Sequence, residues 1–460
     1  MMVPSWRLLA TGSIRGDAAF VIGLDQPARQ LIRVPGNDPA AEDRVPRYAW
    51  VVVAVVAVTL TIASGARFLF GVVLKPMSEE FGWNRAQLTG AVMLAMIVLS
   101  ICQPLVGLLV DRIGAKQILV GGIAFLGVSL IPLSFATSLW QIYVLYGVLT
   151  SFGLAAASPV LATSIVGRWF TEKRGLAMSL ATSGSAFGQL LIVPIATWIM
   201  LATSWQTTYR VLAVALLAVA VPLSAIFLRD APRPVLAAGT ALPAEDGLTL
   251  RQALAHPAFW ILAFGFVVCG WTMAFPNTHF LAYADDMGMS VLHAANTISV
   301  TAIFSILGSV LLGLAADRYR RTSVLALTYA LRGLAFLLLL LLPSGNLLYV
   351  YGLVLGISWT ATTPLTAAIA ADRYGPKRLG LIFGSLFTFM NLGFGFGSLL
   401  GGVIFETTGG YQIALLVNVA LGLAATITAA LVPHFGHERQ RRPSTVTAPE
   451  HGSVPARATG

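Results

Sequence analysis

The strongest constraint on this chain is a series of long, nearly uncharged apolar stretches. They fall near residues 48–72, 86–110, 116–136, 139–165, 174–200 and 207–228, and again near 258–282, 293–316, 322–342, 346–371, 379–404 and 411–433. Each has roughly the 20 residues that an α-helix needs to cross the hydrocarbon core of a bilayer. The runs are continuously apolar rather than alternating over about ten residues, which argues against a membrane β-barrel. Composition agrees: 57% of the 460 residues are hydrophobic and 10% are charged, against about 25% charged in a soluble protein. So little polar surface cannot cover such an apolar core in water. In lipid, a helix satisfies its own backbone polar groups. The expected fold is an all-α polytopic membrane protein of twelve transmembrane helices, with the lipid bilayer as its solvent.

The net charge of +10 could be taken for a nucleic-acid footprint, but its distribution points to topology. Under the twelve-span map, Lys75, Arg85 and Arg210 lie on one side of the membrane and Arg67 and Arg332 lie inside spans. The remaining Lys and Arg lie on the other side, in both tails and in the loops near 112–116, 168–174, 229–251, 318–321 and 373–378. That asymmetry is the positive-inside rule. It predicts a multi-pass protein of the cytoplasmic membrane with both termini in the cytoplasm, and no nucleic-acid partner. Residues 1–46 contain no apolar run framed as a removed leader and read as a cytoplasmic tail, as do residues 434–460. Cys102 and Cys269 fall inside spans and read as packing residues, not a disulfide.

The chain also repeats itself. Gly107-Leu-Leu-Val-Asp111-Arg112-Ile-Gly114-Ala-Lys116 follows the second span, and Gly313-Leu-Ala-Ala-Asp317-Arg318 follows the eighth, about 206 residues later. Arg168-Trp169-Phe170 with Lys173-Arg174 recurs as Arg373-Tyr374 with Lys377-Arg378 at nearly the same offset. Two signals at one offset imply a duplicated six-helix unit: a bundle over 47–228, a cytoplasmic linker over 229–256 and a second bundle over 257–433. Duplicated halves are the architecture of transporters that rock about a central site.

The stretch at 107–116 resembles the signature loop of the major facilitator superfamily, and its weaker copy at 313–321 is similar to the second copy in that family. More narrowly, the chain resembles the bacterial monocarboxylate porter and oxalate/formate antiporter branch. The stretches concerned are Lys75-Pro76-Met77 with Glu80-Phe81-Gly82-Trp83-Asn84-Arg85, Arg168-Trp169-Phe170 with Lys173-Arg174-Gly175, and Asn277-Thr278-His279-Phe280-Leu281 with Tyr283. The resemblance implies a secondary transporter working by alternating access, as a monomer, without a cofactor or metal. It also implies a gating role for Gly107, Asp111, Arg112 and Lys116, and for Asp317 and Arg318. These groups would form contacts between the bundles in one conformation and lose them in the other. Where the branch commonly carries an Arg in the eighth span, residues 294–316 contain no basic residue, so that ligand is missing or moved.

The charges inside the membrane bear on the cargo. No Asp or Glu lies at mid-span, whereas Arg67 lies in the first span and Arg332 in the ninth. An Arg there costs about 2.5–3.5 kcal/mol on insertion scales. Without a carboxylate it needs carbonyls, water or a bound anion. Guanidinium suits carboxylate in a two-pronged pair, so a small organic anion, most simply a monocarboxylate, is the expected substrate. Arg67 shares a helix face with Ser64 and Gly71, and the resemblance places the first helix on the cavity and the ninth at the periphery. Pro276 in the seventh span is expected to break its ladder and free carbonyls, beside Asn277, His279 and Tyr283. His279 is the side-chain candidate for a proton as coupling ion. Tyr146, Gln189, Trp359 and Asn391 are further candidate substrate contacts. A second reading is efflux of neutral or anionic hydrophobic compounds. Pumps for cationic drugs usually place Asp or Glu within the bilayer, and that is lacking here. The six His are scattered and no HExxH motif occurs, so the chain is not expected to be an enzyme.

Overall fold

A computed structural model describes residues 47–170, 174–229, 250–342, 345–374 and 379–431. The tails and the linker between 230 and 249 lie outside the described residues. Among the described residues there is no strand, and twelve helices are long and apolar enough to cross a membrane. They are α1 (Tyr48–Phe81), α2 (Arg85–Gln103), α3 (Ala115–Leu133), α4 (Leu139–Gly167), α5 (Leu176–Ala202) and α6 (Trp205–Phe227). The second six are α7 (Pro257–Asp286), α8 (Val291–Arg318), α9 (Arg321–Leu341), α10 (Leu347–Tyr374), α11 (Ile382–Thr408) and α12 (Gln412–Leu431).

Short polar turns separate many neighbours, and local chemistry starts the next helix. Asn84 caps α2 in a reciprocal box with Gln87, and Ser138 with Gln141 does the same for α4. Ser204 caps α6 through the Thr207 amide, and His256 caps α7 ahead of Pro257. The 82–84 turn is entered through Gly82 at φ 67°, a conformation open to Gly at little cost. The faces turned away from neighbouring helices are apolar: Trp140, Trp198, Ile226, Leu314 and Ile427 are all exposed, as a lipid-facing surface requires.

One boundary differs instructively from expectation. Helix α1 ends at Phe81 rather than near 72, running straight through Lys75 and Pro76. Lys75 does not end the helix because its ammonium is held by Asp285 at 2.6 Å and Asp286 at 3.0 Å. The extension places Arg67 well inside the helix, about 12 Å below Lys75 at 1.5 Å per residue.

Packing repeats between the halves. In the first, Gly184 and Gly188 of α5 press against the α1 backbone at Ala57 and Thr61. In the second, Gly393 and Gly397 of α11 press against α7 at Val267 and Trp271. A Cβ at Gly184 or Gly393 would collide with a backbone carbonyl, so the spacing of four that stands out in the sequence serves close approach of backbones. Helices α4 and α10 are each interrupted. The first breaks at Ala157 and Ser158 and restarts at Pro159; the second breaks after Trp359 and restarts at Thr362. Ser158-Pro159 and Thr363-Pro364 are about 205 residues apart, a third copy of the repeat.

Candidate functional site

Arg67 is half-buried, and its guanidinium points across to the other half, 5.2 Å from the centre of the Phe394 ring on α11. On its own side, Phe70 one turn along packs on Tyr146 of α4, with ring centroids 4.4 Å apart. Tyr146 is buried and lies within electrostatic reach of Arg67. It sits in a π-helical segment, Tyr143–Thr150; such widened turns recur at functional sites. Among the described residues, Arg67 makes no hydrogen bond and no ion pair.

Just above Arg67, Gly71 touches the backbone of Asn277 on α7. Asn277 accepts a hydrogen bond from Gln189 Nε2 of α5 at 3.1 Å and donates to Met273 O at 2.6 Å. The expected break at Pro276 is absent. Instead α7 widens into one π-turn over Phe275–His279 and continues to Asp286. The extra residue in that turn absorbs the missing proline N–H and the ring's steric clash, and the Asn277 side chain takes the Met273 carbonyl. Asn391, one turn before Phe394, reaches Gln103 Oε1 of α2 at 3.4 Å. Arg67, Tyr146, Gln189, Asn277 and Asn391 therefore surround the plane where α1, α4 and α5 face α7 and α11.

Arg332 stands apart from this group. It is fully buried, and its Nη2 donates to the carbonyls of Ser358 at 2.7 Å and Trp359 at 3.0 Å and to Thr362 Oγ1 at 3.3 Å. Nη1 reaches Cys269 Sγ and Thr272 Oγ1 of α7. The interruption of α10 leaves the last carbonyls of its first segment without helical donors, and Arg332 supplies donors and positive charge at that carboxyl end. Trp359 belongs to this arrangement through its carbonyl. Both terminal nitrogens are committed to protein acceptors in this conformation, while Nε is buried without a partner among the described residues.

Beyond Arg67, at the end carrying the 82–84 turn, a polar clasp joins the halves. The Arg85 guanidinium pairs with Asp286 through both terminal nitrogens, with Nη2 to Oδ1 at 2.9 Å. Nη1 also donates to Tyr411 Oη at 2.9 Å, and the Arg85 amide donates to Glu406 at 2.7 Å. The guanidinium lies 3.8 Å from the centre of the Phe405 ring, and Lys75 holds Asp285 and Asp286. His279 lies directly beneath and is fully buried, with Nδ1 3.1 Å from Tyr411 Oη and Nε2 2.8 Å from Ser398 O. Tyr283 packs edge-on against Phe275 and Tyr411. Burial pushes the Tyr411 phenol above its ordinary range, so it stays protonated. Sequence reasoning singled out His279 and Tyr283 as cargo contacts and passed over Arg85, Glu406 and Tyr411. The available signal was two cations on the cation-poor side beside two adjacent acidic pairs, Glu79-Glu80 and Asp285-Asp286.

The opposite end is differently arranged. The surroundings of Gly107 and the side chain of Asp111 lie outside what is described. Arg112, Asp317 and Arg318 are exposed, and among the described residues they make no hydrogen bond or ion pair, whereas Lys116 has an interaction partner. An ion pair at that end joins Arg321 with Asp372, at 2.6 Å within the second half.

Comparison with known proteins adds the following. The model of the Major Facilitator Superfamily matches residues 56–313 and 267–458. An MFS-type transporter of Bacillus subtilis (strain 168), YcxA, is 27% identical over 86% of this chain and 98% of that protein. Monocarboxylate transporter 13 of Rattus norvegicus is 24% identical over 84% of this chain and 90% of its own length. The gallate transporter of Pseudomonas putida is 27% identical over 87% and 95%. Among solved structures, a bacterial homologue of the human lysosomal transporter Spinster, in an inward-facing and occupied conformation, superposes with a TM-score of 0.67 at 16% identity, covering 85% of this chain and 98% of that one.

Proposed function

Because the chain belongs to the Major Facilitator Superfamily, we propose that its transport cycle moves a monocarboxylate anion, with Arg67 as the charge that receives it. One observation carries this reading. Arg67 presents a half-buried guanidinium to the plane between the halves, bordered by Phe394 and Tyr146, and has no carboxylate or hydrogen-bond partner among the described residues. Such a charge inside a membrane protein is costly unless solvated or paired, and a carboxylate pairs with it in two-pronged fashion. Gln189, Asn277 and Asn391 supply neutral donors and acceptors nearby for the rest of the cargo. Relatives that carry monocarboxylates by name, and one named for gallate, an aromatic acid, accord with this.

The charge distribution orients the clasp toward the exterior and both termini toward the cytoplasm of a cytoplasmic-membrane protein. The clasped outer end, and an inner end where Arg112, Asp317 and Arg318 make no ion pair among the described residues, then correspond to a conformation open inward. Released carboxylate leaves to the cytoplasm from this state. Return through the outward-open state requires the clasp to part, and the cycle runs as proton symport or anion exchange by a monomer.

The test is a panel of short and aromatic monocarboxylates against purified protein, read by thermal stabilisation and by uptake of labelled compound into vesicles. At least one acid should stabilise the wild type and accumulate. Arg67→Ala should weaken its binding about tenfold to a hundredfold, the worth of a charge-assisted hydrogen bond, while the unliganded melting temperature stays near wild type. Stabilisation by neutral apolar compounds alone, untouched by Arg67→Ala, would sink the carboxylate assignment and favour efflux.

A further inference from the structure

We infer that His279 is a proton-binding site built into the outer clasp, and that the clasp closes around the neutral imidazole and is released by the protonated one. This goes beyond the cargo reading and does not depend on it. The hydrogen bonds determine which protons are where. Ser398 O, a carbonyl, can only accept, so His279 Nε2 carries a hydrogen toward it. Tyr411 Oη already accepts from Arg85 Nη1. Its own hydrogen is therefore free to point at His279 Nδ1, 3.1 Å away. The chain Arg85 to Tyr411 to His279 to Ser398 is then saturated in a single direction, with every donor meeting an acceptor, and it requires Nδ1 to be bare.

A second proton on His279 breaks that order. Nδ1–H and Arg85 Nη1 would both donate to one phenol oxygen, and the phenol hydrogen would have to leave Nδ1 for another acceptor. A new positive charge would also stand one phenol away from the Arg85 guanidinium in a fully buried position, where charges repel with little screening. Every charged or titratable group facing the imidazole bears on the balance. On α7 these are Tyr283, Asp285 and Asp286. Arg85 comes from α2, Glu406 from α11, and Tyr411 from the α11–α12 turn; Lys75 of α1 lies behind the two Asp. Asp286 is held by Arg85 and Lys75, and Glu406 is exposed and turned to the Arg85 amide. Among the described residues the partners of the imidazole are Tyr411 Oη and Ser398 O, so no carboxylate contacts it to receive a second proton's charge. The ring is closely packed on one side: a Cβ at Gly401 of α11 would lie 2.7 Å from His279 Nε2. Relief is available by letting α11 and the 409–411 turn move away from α2, and that movement parts the two halves at this end.

The neutral imidazole is the partner of the closed form, so lowering the pH through the imidazole range must favour the open form. One linked proton changes the open-to-closed ratio by about tenfold per pH unit within the window where it is taken up. Spin labels at Glu79→Cys and Thr407→Cys, exposed positions on either side of the clasp, report the distance between the halves in detergent without any cargo; the native Cys102 and Cys269 are buried. As the pH is lowered from about 8 to about 5, below the ordinary imidazole midpoint near 6.5 that an opened, solvated site regains, the wild type should gain a longer-distance population. His279→Gln should abolish that gain. Tyr411→Phe, which cuts the link to Arg85 and leaves the imidazole in place, should abolish it too and serves where His279→Gln does not fold. Two results overturn the inference: no change of distance with pH in the wild type, or a change of wild-type size in either variant, which would assign the sensing to Asp286 or Glu406. Neither touches the carboxylate reading, and failure of the carboxylate panel leaves this measurement standing.

Discussion

Two arginines within membrane spans look alike in the sequence and differ in what the fold does with them. Arg332 is surrounded by carbonyls that the interrupted α10 exposes, so its charge is spent on structure. Arg67 faces an aromatic ring across the junction of the halves and makes no hydrogen bond or ion pair among the described residues. Removing Arg332 therefore leaves desolvated carbonyls behind. Arg332→Ala should lower stability by several kcal/mol, about 3–5 by comparison with breaking a buried charged contact, seen as a large drop in melting temperature with or without a carboxylate present. Arg67→Ala should leave the melting temperature nearly unchanged and remove only the carboxylate-dependent increment. The contrast separates a structural cation from a binding one by measurement. Position within a span could not do so, because both lie in apolar helices and only their neighbours differ.

At the scale of helices, periodicity located the spans to within a few residues, because about 20 apolar residues admit few other conformations in lipid. It failed where a local rule met a tertiary partner. Lys75 and Pro76 look like a helix end, yet α1 continues because Asp285 and Asp286 neutralise the lysine. Pro276 looks like a break, yet α7 takes a π-turn. The glycines spaced by four in α11 form a packing face, and its partner is α7 within the same half. Substituting Gly393 by Leu should prevent α7 and α11 from meeting, since even a Cβ there collides with the Val267 carbonyl. The measurable outcome is loss of the monodisperse folded peak on size exclusion. The same change at Gly384, where nothing lies within 4 Å, should be tolerated.

For the molecule as a whole, the proposed transport cycle makes this structure one of its members. Contacts between the halves run from Arg85 and Glu406 through Gly402 against Ala86, and through Ser299 Oγ bonded to Leu190 O, down to Asn391 and Gln103. Transport by rocking requires these to separate. A cysteine pair at Met96 and Gly395, whose added Cβ would lie 3.3 Å from the Met96 Cβ across the same α2–α11 contact, close to the separation a disulfide spans, should form a disulfide under oxidation that traps this conformation. Uptake into vesicles should then fall to background and return on reduction. Persistence of full uptake with the bond formed would mean that this interface does not open during the cycle.

The amino-acid sequence alone determined the solvent of the fold, the number of spans and the duplication, and it narrowed the charged candidates within the membrane to two. Those properties are local or periodic: run length, residue type and offset carry them without reference to any neighbour. The three-dimensional arrangement decided which arginine faces the junction, that α1 and α7 continue past their breakers, and that His279 and Tyr283 belong to a clasp with Arg85, Asp286 and Tyr411. These are contacts between helices up to 326 positions apart in the chain. A sequence read helix by helix has no term for them, because the energy of a buried charge depends on what the other helices bring to it.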